Sequence, residues 1–286
     1  LEILSITSFI GTYGFNLFCI SLFTSPAVFI LRDSKKDIWV CIVFLMMPLL
    51  FYMHGSSYKE TFNTSDVISY NYKVRAIGSN ISLDRFYSNI DPASAINDLI
   101  EISEPNKNEK TIFVWPEGIL PEISQKELFE YKWLFEKSFN KNHLLLIGIN
   151  NQTINKESIN YFNSLSIYDH NLELLNFYNK VNLVPFGEFL PFENISKAFG
   201  LRSITNNYQS FSKGNKREIM EINREGFSIK ILPLICYEII YSGKIFSNSN
   251  FDLIINISED GWFGKSIGPK QHFAHSIFRA VESGKY

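Results

Sequence analysis

The sequence predicts a mixed α/β domain that follows a membrane region with two transmembrane helices. Residues from about 3 to 31 are mostly apolar and uncharged, and from about residue 67 short strand patterns alternate with amphipathic helix patterns. In addition, apolar runs in the second part of the chain end at residues with acid, base or nucleophilic chemistry. The chain has 286 residues, 45% of them hydrophobic, and can therefore bury a sizeable core.

Two N-terminal segments are candidates for membrane spans. The first, residues 3–31, exceeds the roughly 20 apolar residues that a transmembrane helix needs, whereas the second, residues 38–53, is shorter. The alternative is a pair of buried core helices, but a charge-free stretch of this length is uncommon in soluble cores. The connecting loop carries Arg32, Lys35 and Lys36, so the positive-inside rule predicts that it is cytoplasmic.

The remainder of the chain is then expected on the opposite side of the membrane. Residues 55–66 are predicted as a polar linker and residues 67–286 as the outer domain. The sequence begins without Met and stops abruptly, which predicts a fragment of a longer protein. A formal net charge of -2 argues against a surface that binds nucleic acid.

Local patterns predict the elements of the outer domain. Apolar and β-branched runs predict strands at 72–77, 111–115, 144–149 and 251–257, and a hairpin from 161–168 and 172–178. Amphipathic spacing and capping residues predict helices at 92–103, from Ser124 to about 139, and at 271–282. Asp91 is the expected N-cap of the first helix, and Ser124 with Glu127 has the spacing of a capping box in the second.

Cys236 stands at the end of the apolar run from Ile231 to Ile235. Such a run fits a buried strand, and α/β enzymes place their chemistry just past strand ends. The alternative is a small buried hydrophobe, as most free cysteines are. Because Cys19 and Cys41 lie in the apolar N-terminal segments, Cys236 is the single thiol of the outer domain, which favours a reactive role over a disulfide there.

A catalytic cysteine needs a base beside it and positive charge where negative charge develops. Two residues upstream have this chemistry: Glu117 follows the apolar run 111–115, and Lys180 lies among apolar neighbours. Each has an ordinary alternative, since a loop glutamate is usually solvated and an edge lysine usually extends its amine into water.

These residues occur within five ordered segments, which are residues 114–117, 180–191, 235–238, 256–264 and 279–285. Together the segments resemble the nitrilase, or carbon–nitrogen hydrolase, superfamily, and within it the membrane-bound branch of apolipoprotein N-acyltransferases. The resemblance implies a four-layer αββα sandwich in residues 67–286, incomplete at its C-terminal end. It also implies a triad of Glu117, Lys180 and Cys236.

The resemblance implies acyl transfer through a thioester, with no cofactor. Cys236 would be the nucleophile, Glu117 the general base, and Lys180 the group that stabilises the oxyanion. The acyl donor would be a phospholipid and the acceptor the α-amino group of an apolipoprotein's diacylglyceryl-cysteine, at the periplasmic face of a bacterial inner membrane. Two alternatives stay open: a membrane-tethered amidase in which water resolves the intermediate, and an inactive fragment.

Further residues are assigned supporting roles by the same resemblance. Supporting positions near the triad are Glu188, Tyr237 and Glu238; candidates for lipid contact are Phe189, Leu190, Phe192 and Trp262. Ordinary packing is the alternative for the aromatic residues. His272 and His275 are three apart on a predicted helix, but without a surrounding ligand set they do not predict a metal site.

Overall fold

A computed structural model describes residues 2–64, 70–79, 81–86, 90–155, 158–191, 210–243 and 250–285. The chain forms two compact units. The first comprises residues 1–69, 240–249 and 273–286, and the second comprises residues 70–239 and 250–272. The boundary near residue 70 lies close to the predicted one, but the sequence does not indicate that two later segments belong to the first unit.

The first unit contains two long helices. A 3-10 turn at Ile3–Ile6 leads into α1 (Thr7–Ile30), and α2 spans Lys35–Thr64. Both are long and apolar enough to cross a membrane, and only 22% and 17% of their most apolar windows are buried. Phe9, Leu17 and Phe23 are all mostly exposed on α1. A core helix of a soluble protein would bury such side chains, so the burial pattern favours membrane spans.

α2 is longer than the sequence predicted. The span was expected to end near residue 53 and to be followed by a linker, but the helix continues to Thr64. Gly55 lies inside this helix. A Cβ atom at this position would collide with the backbone carbonyl of Glu2, so the close contact requires a glycine. Gly55 therefore allows close packing of two backbone segments within the first unit.

A buried polar cluster joins distant parts of the first unit. Arg279 and Glu282, on the helix α5 (Gly268–Ser283), form an ion pair at 2.9 Å. Ser242 donates a hydrogen bond of 2.7 Å to Glu282, and Thr12 of α1 contacts both members of the pair. At Gly11 the helix α1 has a left-handed backbone with φ of 68°, so the kink lies beside this cluster.

The second unit is built on two β-sheets. The first sheet contains, in spatial order, β1 (Lys73–Ala76), β2 (Thr111–Val114), β3 (His143–Asn155), β4 (Ser158–Tyr168) and β5 (Leu174–Asn179). Strands β1, β2 and β3 are parallel, whereas β3, β4 and β5 are antiparallel. The predicted strands and hairpin are thus present, and β3 extends beyond its predicted end.

The second sheet contains β6 (Met220–Arg224), β7 (Phe227–Ile235) and β8 (Leu253–Ile257). β6 and β7 form an antiparallel pair, and β7 and β8 are parallel. β7 includes the apolar run that precedes Cys236, so the strand predicted there is confirmed. β6 was not predicted, because its alternation of buried and exposed residues extends over only five positions.

The core of the second unit lies on both faces of the first sheet. On one face, Ile112 and Leu146 pack against Ile231 and Ile255 of the second sheet. On the other face, side chains of β2 and β3 pack against the helices α3 (Pro92–Ser103) and α4 (Lys132–Ser138). This arrangement gives three successive layers, helix, sheet and sheet, in the described part of the chain.

The helix predictions differ in accuracy. α3 has its predicted bounds, and Asp91 accepts hydrogen bonds from the backbone N–H groups of Ala93 and Ser94. The helix expected from Ser124 is instead a 3-10 segment at Glu127–Tyr131 followed by α4. Ser124 forms a β-bridge with Asn150, which prevents an α-helix from starting there, although Glu127 still accepts a bond from the Ser124 N–H.

Candidate active site

The three residues of the predicted triad follow three different strands of the second unit. Glu117 lies beyond β2, Lys180 directly follows β5, and Cys236 directly follows β7. The first two strands belong to one sheet and the third to the other, and the two sheets pack face to face. The ends of these strands therefore bring together residues that are far apart in the sequence.

Lys180 is held by two carboxylates. Only 1% of its side chain is exposed, and its Nζ lies 3.2 Å from Glu117 Oε1 and 2.9 Å from Glu188 Oε1. Burial alone would lower the pKa of Lys180, but the charges of Glu117 and Glu188 outweigh it and raise the pKa above its ordinary value. Lys180 is thus a buried ammonium group at neutral pH.

Glu117 is fixed by donors on both of its oxygens. Asn163 donates to Oε1 at 2.7 Å, beside Lys180, and the backbone N–H of Glu259 donates to Oε2 at 3.0 Å. The same Asn163 amide donates to Glu188 Oε1 at 2.9 Å. Asn163 therefore sets the separation of the two carboxylates, and no sequence pattern had singled it out.

Cys236 has an unusual backbone conformation. Its φ is +49°, which is rare for a residue other than glycine, and it begins a 3-10 helix at Cys236–Ile240. Such strain persists only where the surrounding structure holds it, and it is concentrated at functional sites. The conformation turns the chain sharply at the end of β7, where the candidate nucleophile lies.

The thiol of Cys236 is protonated in this environment. Burial raises its pKa to about 12, and the carboxylate of Glu117 acts in the same direction. Lys180 and the neighbouring Ser258 hydroxyl oppose this shift. These effects place the thiol within electrostatic reach of both other members of the predicted triad, and they mean that a base must remove its proton before it can react.

Glu238 connects the segment after Lys180 to the strand that carries Cys236. Its carboxylate is fully buried and accepts hydrogen bonds from the Tyr178 hydroxyl, the backbone N–H groups of Val181, Asn182 and Ile235, and the guanidinium group of Arg217, at 2.7–3.0 Å. Glu238 therefore links the two chain segments through hydrogen bonds. Arg217 lies outside every motif that the sequence suggested.

A cleft of about 270 Å³ lies beside these residues. Glu117, Asn163 and Glu188 line it, and Glu259 and Trp262 form part of its wall. The ring of Trp262 lies 5.1 Å from that of Phe86, which is also in the wall. The cleft gives a substrate direct access to the carboxylate of Glu117.

The four residues predicted to contact lipid have different environments. Trp262 lines the cleft. Phe189 is half-buried and Leu190 is buried, in a turn next to Glu188, and neither is among the described residues that form the wall of the cleft. Phe192 lies outside the described residues. Tyr237, predicted as a supporting residue, is half-buried directly after Cys236.

Residues 99–286 match the carbon–nitrogen hydrolase family, which is more than half of the chain. The chain belongs to the carbon–nitrogen hydrolase family. Among solved structures, a member of branch 10 of the nitrilase superfamily from Saccharomyces cerevisiae is 17% identical, with a TM-score of 0.49; the match covers 77% of this chain and 75% of that one.

Curated relatives of this carbon–nitrogen hydrolase chain include two apolipoprotein N-acyltransferases. That of Rhodopseudomonas palustris is 26% identical over 288 residues, which cover 97% of this chain and 53% of the relative. That of Wigglesworthia glossinidia brevipalpis is 36% identical over 222 residues, which cover 74% of this chain and 42% of the relative. The chain spans about half the length of the curated relatives it matches.

The described part of this carbon–nitrogen hydrolase domain has one group of side chains spaced for a shared cation. Asp169, His170 and Glu225 place ligand atoms within 4.8 Å of one another. The guanidinium group of Arg224 already lies 3.3 Å from Asp169 Oδ2, where it neutralises the carboxylate. His272 is not part of this group, and its ring is bonded to Asp260 and to the backbone of Cys236.

Proposed function

We propose that this chain carries the catalytic site of an N-acyltransferase. The enzyme transfers a fatty acyl chain from a phospholipid to Cys236, and from there to the α-amino group of the diacylglyceryl-cysteine of an apolipoprotein. The observation that carries the proposal is the buried Lys180 between Glu117 and Glu188, beside a thiol at a strained strand end. Two apolar helices and the names of the relatives support a substrate in the membrane.

In the first half of the reaction the phospholipid acylates Cys236. Glu117 takes the thiol proton as Sγ attacks the ester carbonyl carbon, and the ammonium group of Lys180 stabilises the resulting oxyanion, assisted by the Tyr237 N–H. The bond from the carbonyl carbon to the glycerol oxygen then breaks, and Glu117 returns its proton to that oxygen. The products are a thioester on Cys236 and a lysophospholipid.

In the second half the amine of the apolipoprotein resolves the thioester. The neutral amine attacks the thioester carbonyl carbon, and Glu117 accepts a proton from the amine nitrogen. When the carbon–sulfur bond breaks, Cys236 leaves as a thiolate and recovers that proton from Glu117. The products are an amide and the resting enzyme, and every step uses side chains and backbone groups of this chain.

The charge of the cleft supports an amine as the acceptor. Four carboxylate residues line it, namely Glu117, Glu122, Glu188 and Glu259. A cleft lined by one sign of charge raises the local concentration of the opposite sign. An amine reaches the site largely as an ammonium ion, which this lining attracts, and it releases that proton to solvent before the neutral amine attacks. Water is uncharged and gains nothing from this lining.

A position at the membrane also fits these substrates. Both lipids are held in a bilayer, so anchoring the site at its surface restricts the search for substrate to two dimensions. The positive charges of the loop between α1 and α2 support a cytoplasmic position for that loop, and with it a periplasmic position for the candidate site at the bacterial inner membrane.

The proposal is tested on the whole chain reconstituted in vesicles of phosphatidylethanolamine. Intact-mass analysis should detect a hydroxylamine-sensitive acyl adduct that is absent from Cys236→Ala and Glu117→Gln. Cys19→Ala is the matched control for the thiol and Glu130→Gln, on an exposed surface, for the carboxylate. Both controls should retain the adduct.

Addition of a diacylglyceryl-cysteine lipopeptide then identifies the acceptor. Transfer of the label to the lipopeptide amine, with little loss to water, is the expected result. Rapid loss to water with no lipopeptide product would assign the chain as a hydrolase. An adduct that persists in Cys236→Ala would exclude the proposed nucleophile.

A further inference from the structure

We propose that His272 is a positioning residue for acyl transfer. It holds the peptide group between Cys236 and Tyr237 so that the Tyr237 N–H faces the oxyanion. The inference deepens the proposed function and rests on it for the chemistry, but it concerns a residue to which the mechanism above gives no role.

His272 bonds directly to the backbone of the candidate nucleophile. It is 7% exposed, near the start of α5, and its Nε2 lies 3.0 Å from the carbonyl oxygen of Cys236. Its Nδ1 lies 2.8 Å from Asp260 Oδ1. A carbonyl oxygen only accepts hydrogen bonds, so Nε2 is the donor to Cys236.

Ser258 extends this network to the sulfur atom of Cys236. Its hydroxyl donates to Asp260 Oδ1 at 2.6 Å, and Ser258 also interacts with the Cys236 thiol. The network of His272, Asp260 and Ser258 therefore contacts Cys236 at its carbonyl group and at its reactive atom. A histidine with only a packing role would not need to belong to a network that contacts Cys236 at two groups.

The bond to the carbonyl group determines where the next N–H group points. A trans peptide group is planar, so its N–H and C=O vectors are antiparallel and turn together. The positive φ of Cys236 costs free energy and needs an external contact to hold it. His272 supplies that contact, and a carbonyl that accepts a hydrogen bond also polarises its own peptide group, which strengthens the N–H as a donor.

The matched pair His272→Gln and His272→Asn tests this role on the whole chain. Both variants carry a neutral amide, but the Gln amide nitrogen reaches the position of Nε2, whereas that of Asn is one bond shorter. Two rates are measured by mass spectrometry at Cys236: single-turnover acylation by a p-nitrophenyl ester, and alkylation by iodoacetamide. Acylation forms an oxyanion and alkylation does not.

We expect the maximal acylation rate of His272→Asn to fall about 10- to 100-fold. Loss of an oxyanion donor lowers a catalytic rate by a factor of about 10²–10³, and misplacement of a group lowers it by about 10². His272→Gln should recover most of the rate. The ester concentration that gives half-maximal rate and the alkylation rate should stay within about 2-fold in both variants, because neither depends on a donor used only in the transition state.

Three results would overturn the inference. Equal losses of acylation and alkylation would mean that His272 only maintains the fold around the thiol. A Gln variant as slow as the Asn variant would exclude the bond to the carbonyl. A wild-type chain that neither the ester nor phosphatidylethanolamine acylates would exclude Cys236 as an acyl acceptor. Acylation by the ester but not by phosphatidylethanolamine would instead refute the proposed donor, and the comparison of variants would still stand.

Discussion

At the scale of single residues, the environment of Cys236 favours its neutral thiol form. Burial raises its pKa to about 12, with Glu117 acting in the same direction. A neutral thiol is a poor nucleophile, and it also resists oxidation in an oxidising compartment. In the proposed mechanism Cys236 therefore stays inactive until Glu117 removes its proton in the presence of substrate.

This state predicts the pH dependence of alkylation. Because the pKa of Cys236 in the folded protein lies above that of an ordinary thiol, the fraction of Cys236 present as thiolate should keep rising from pH 8 to pH 11. The rate of Cys236 alkylation by iodoacetamide, measured on the tryptic peptide, should rise about tenfold per pH unit over this range. A plateau below pH 9 would contradict the prediction, and free cysteine in the same buffers provides the comparison.

Glu238 and Arg217 are a second case in which single residues control the site. Arg217 is 11% exposed and lies 2.7 Å from Glu238, which is fully buried. Arg217→Met removes this charged partner but leaves the four other donors of Glu238. We expect a loss of about 1–3 kcal/mol in the free energy of unfolding, less than the 3–5 kcal/mol for an isolated buried pair.

The acylation rate should fall in Arg217→Met as well, because Glu238 aligns the segments that carry Lys180 and Cys236. Thermal unfolding in detergent and the rate of adduct formation measure the two effects. Lys216→Met is the matched control, since Lys216 is the sequence neighbour, with its side chain 75% exposed. An Arg217→Met variant as stable and active as this control would contradict the prediction.

At the scale of elements, β3 supports the segment that carries Glu117. A Cβ atom on Gly148 would collide with the carbonyl oxygen of Pro116 and would lie 2.7 Å from the Cα atom of Glu117. The backbone of β3 and the segment beyond β2 are in direct contact here, so only glycine fits. The position of Glu117 thus depends on a residue on the neighbouring strand.

Gly148→Ala should therefore displace Glu117. We expect a loss of about 1–3 kcal/mol in the free energy of unfolding from overpacking, and a fall of about 10- to 100-fold in the acylation rate. Gly78→Ala is the matched control, because a Cβ atom at Gly78 would meet nothing within 4 Å. Thermal unfolding and adduct formation distinguish the two variants, and a fully active Gly148→Ala variant would contradict the prediction.

At the scale of the whole molecule, the chain combines a carbon–nitrogen hydrolase domain with two long apolar helices. α1 and α2 expose many large apolar side chains and are long and apolar enough to be candidate membrane spans. The helices are therefore candidates for a membrane anchor, while the second unit contains the residues of the candidate site. The two properties reside in different units of the same chain.

The proposed orientation predicts which residues are accessible from outside the cell membrane. In a background without Cys19 and Cys41, Asn108→Cys should react with a membrane-impermeant maleimide in spheroplasts. Ser34→Cys, in the loop between α1 and α2, should react only after lysis. Both positions are exposed, so accessibility of the residue itself is not the difference. The reverse pattern would exclude a periplasmic site.

The sequence alone was sufficient for features that depend on neighbouring residues. The bounds of α3 and its cap at Asp91 were predicted because a capping side chain bonds within its own turn. The spans, the hairpin and the strand before Cys236 follow from hydrophobic patterns of fixed period. Glu117, Lys180 and Cys236 could be proposed as a triad from the sequence because each stands in a recognisable local segment and all five segments occur in order.

Which side chains lie together at the candidate site is determined only by the tertiary structure. Asn163 and Arg217 have no distinctive local pattern, yet each bonds to a buried carboxylate from a distant segment. The sequence assigned no role to His272, and the structure shows its ring hydrogen-bonded to the backbone of Cys236. Ser124 was predicted to begin an α-helix, but it forms a β-bridge with Asn150 of β3 instead. A buried polar group must find a partner wherever the fold brings one, and that partner depends on packing rather than on separation along the chain.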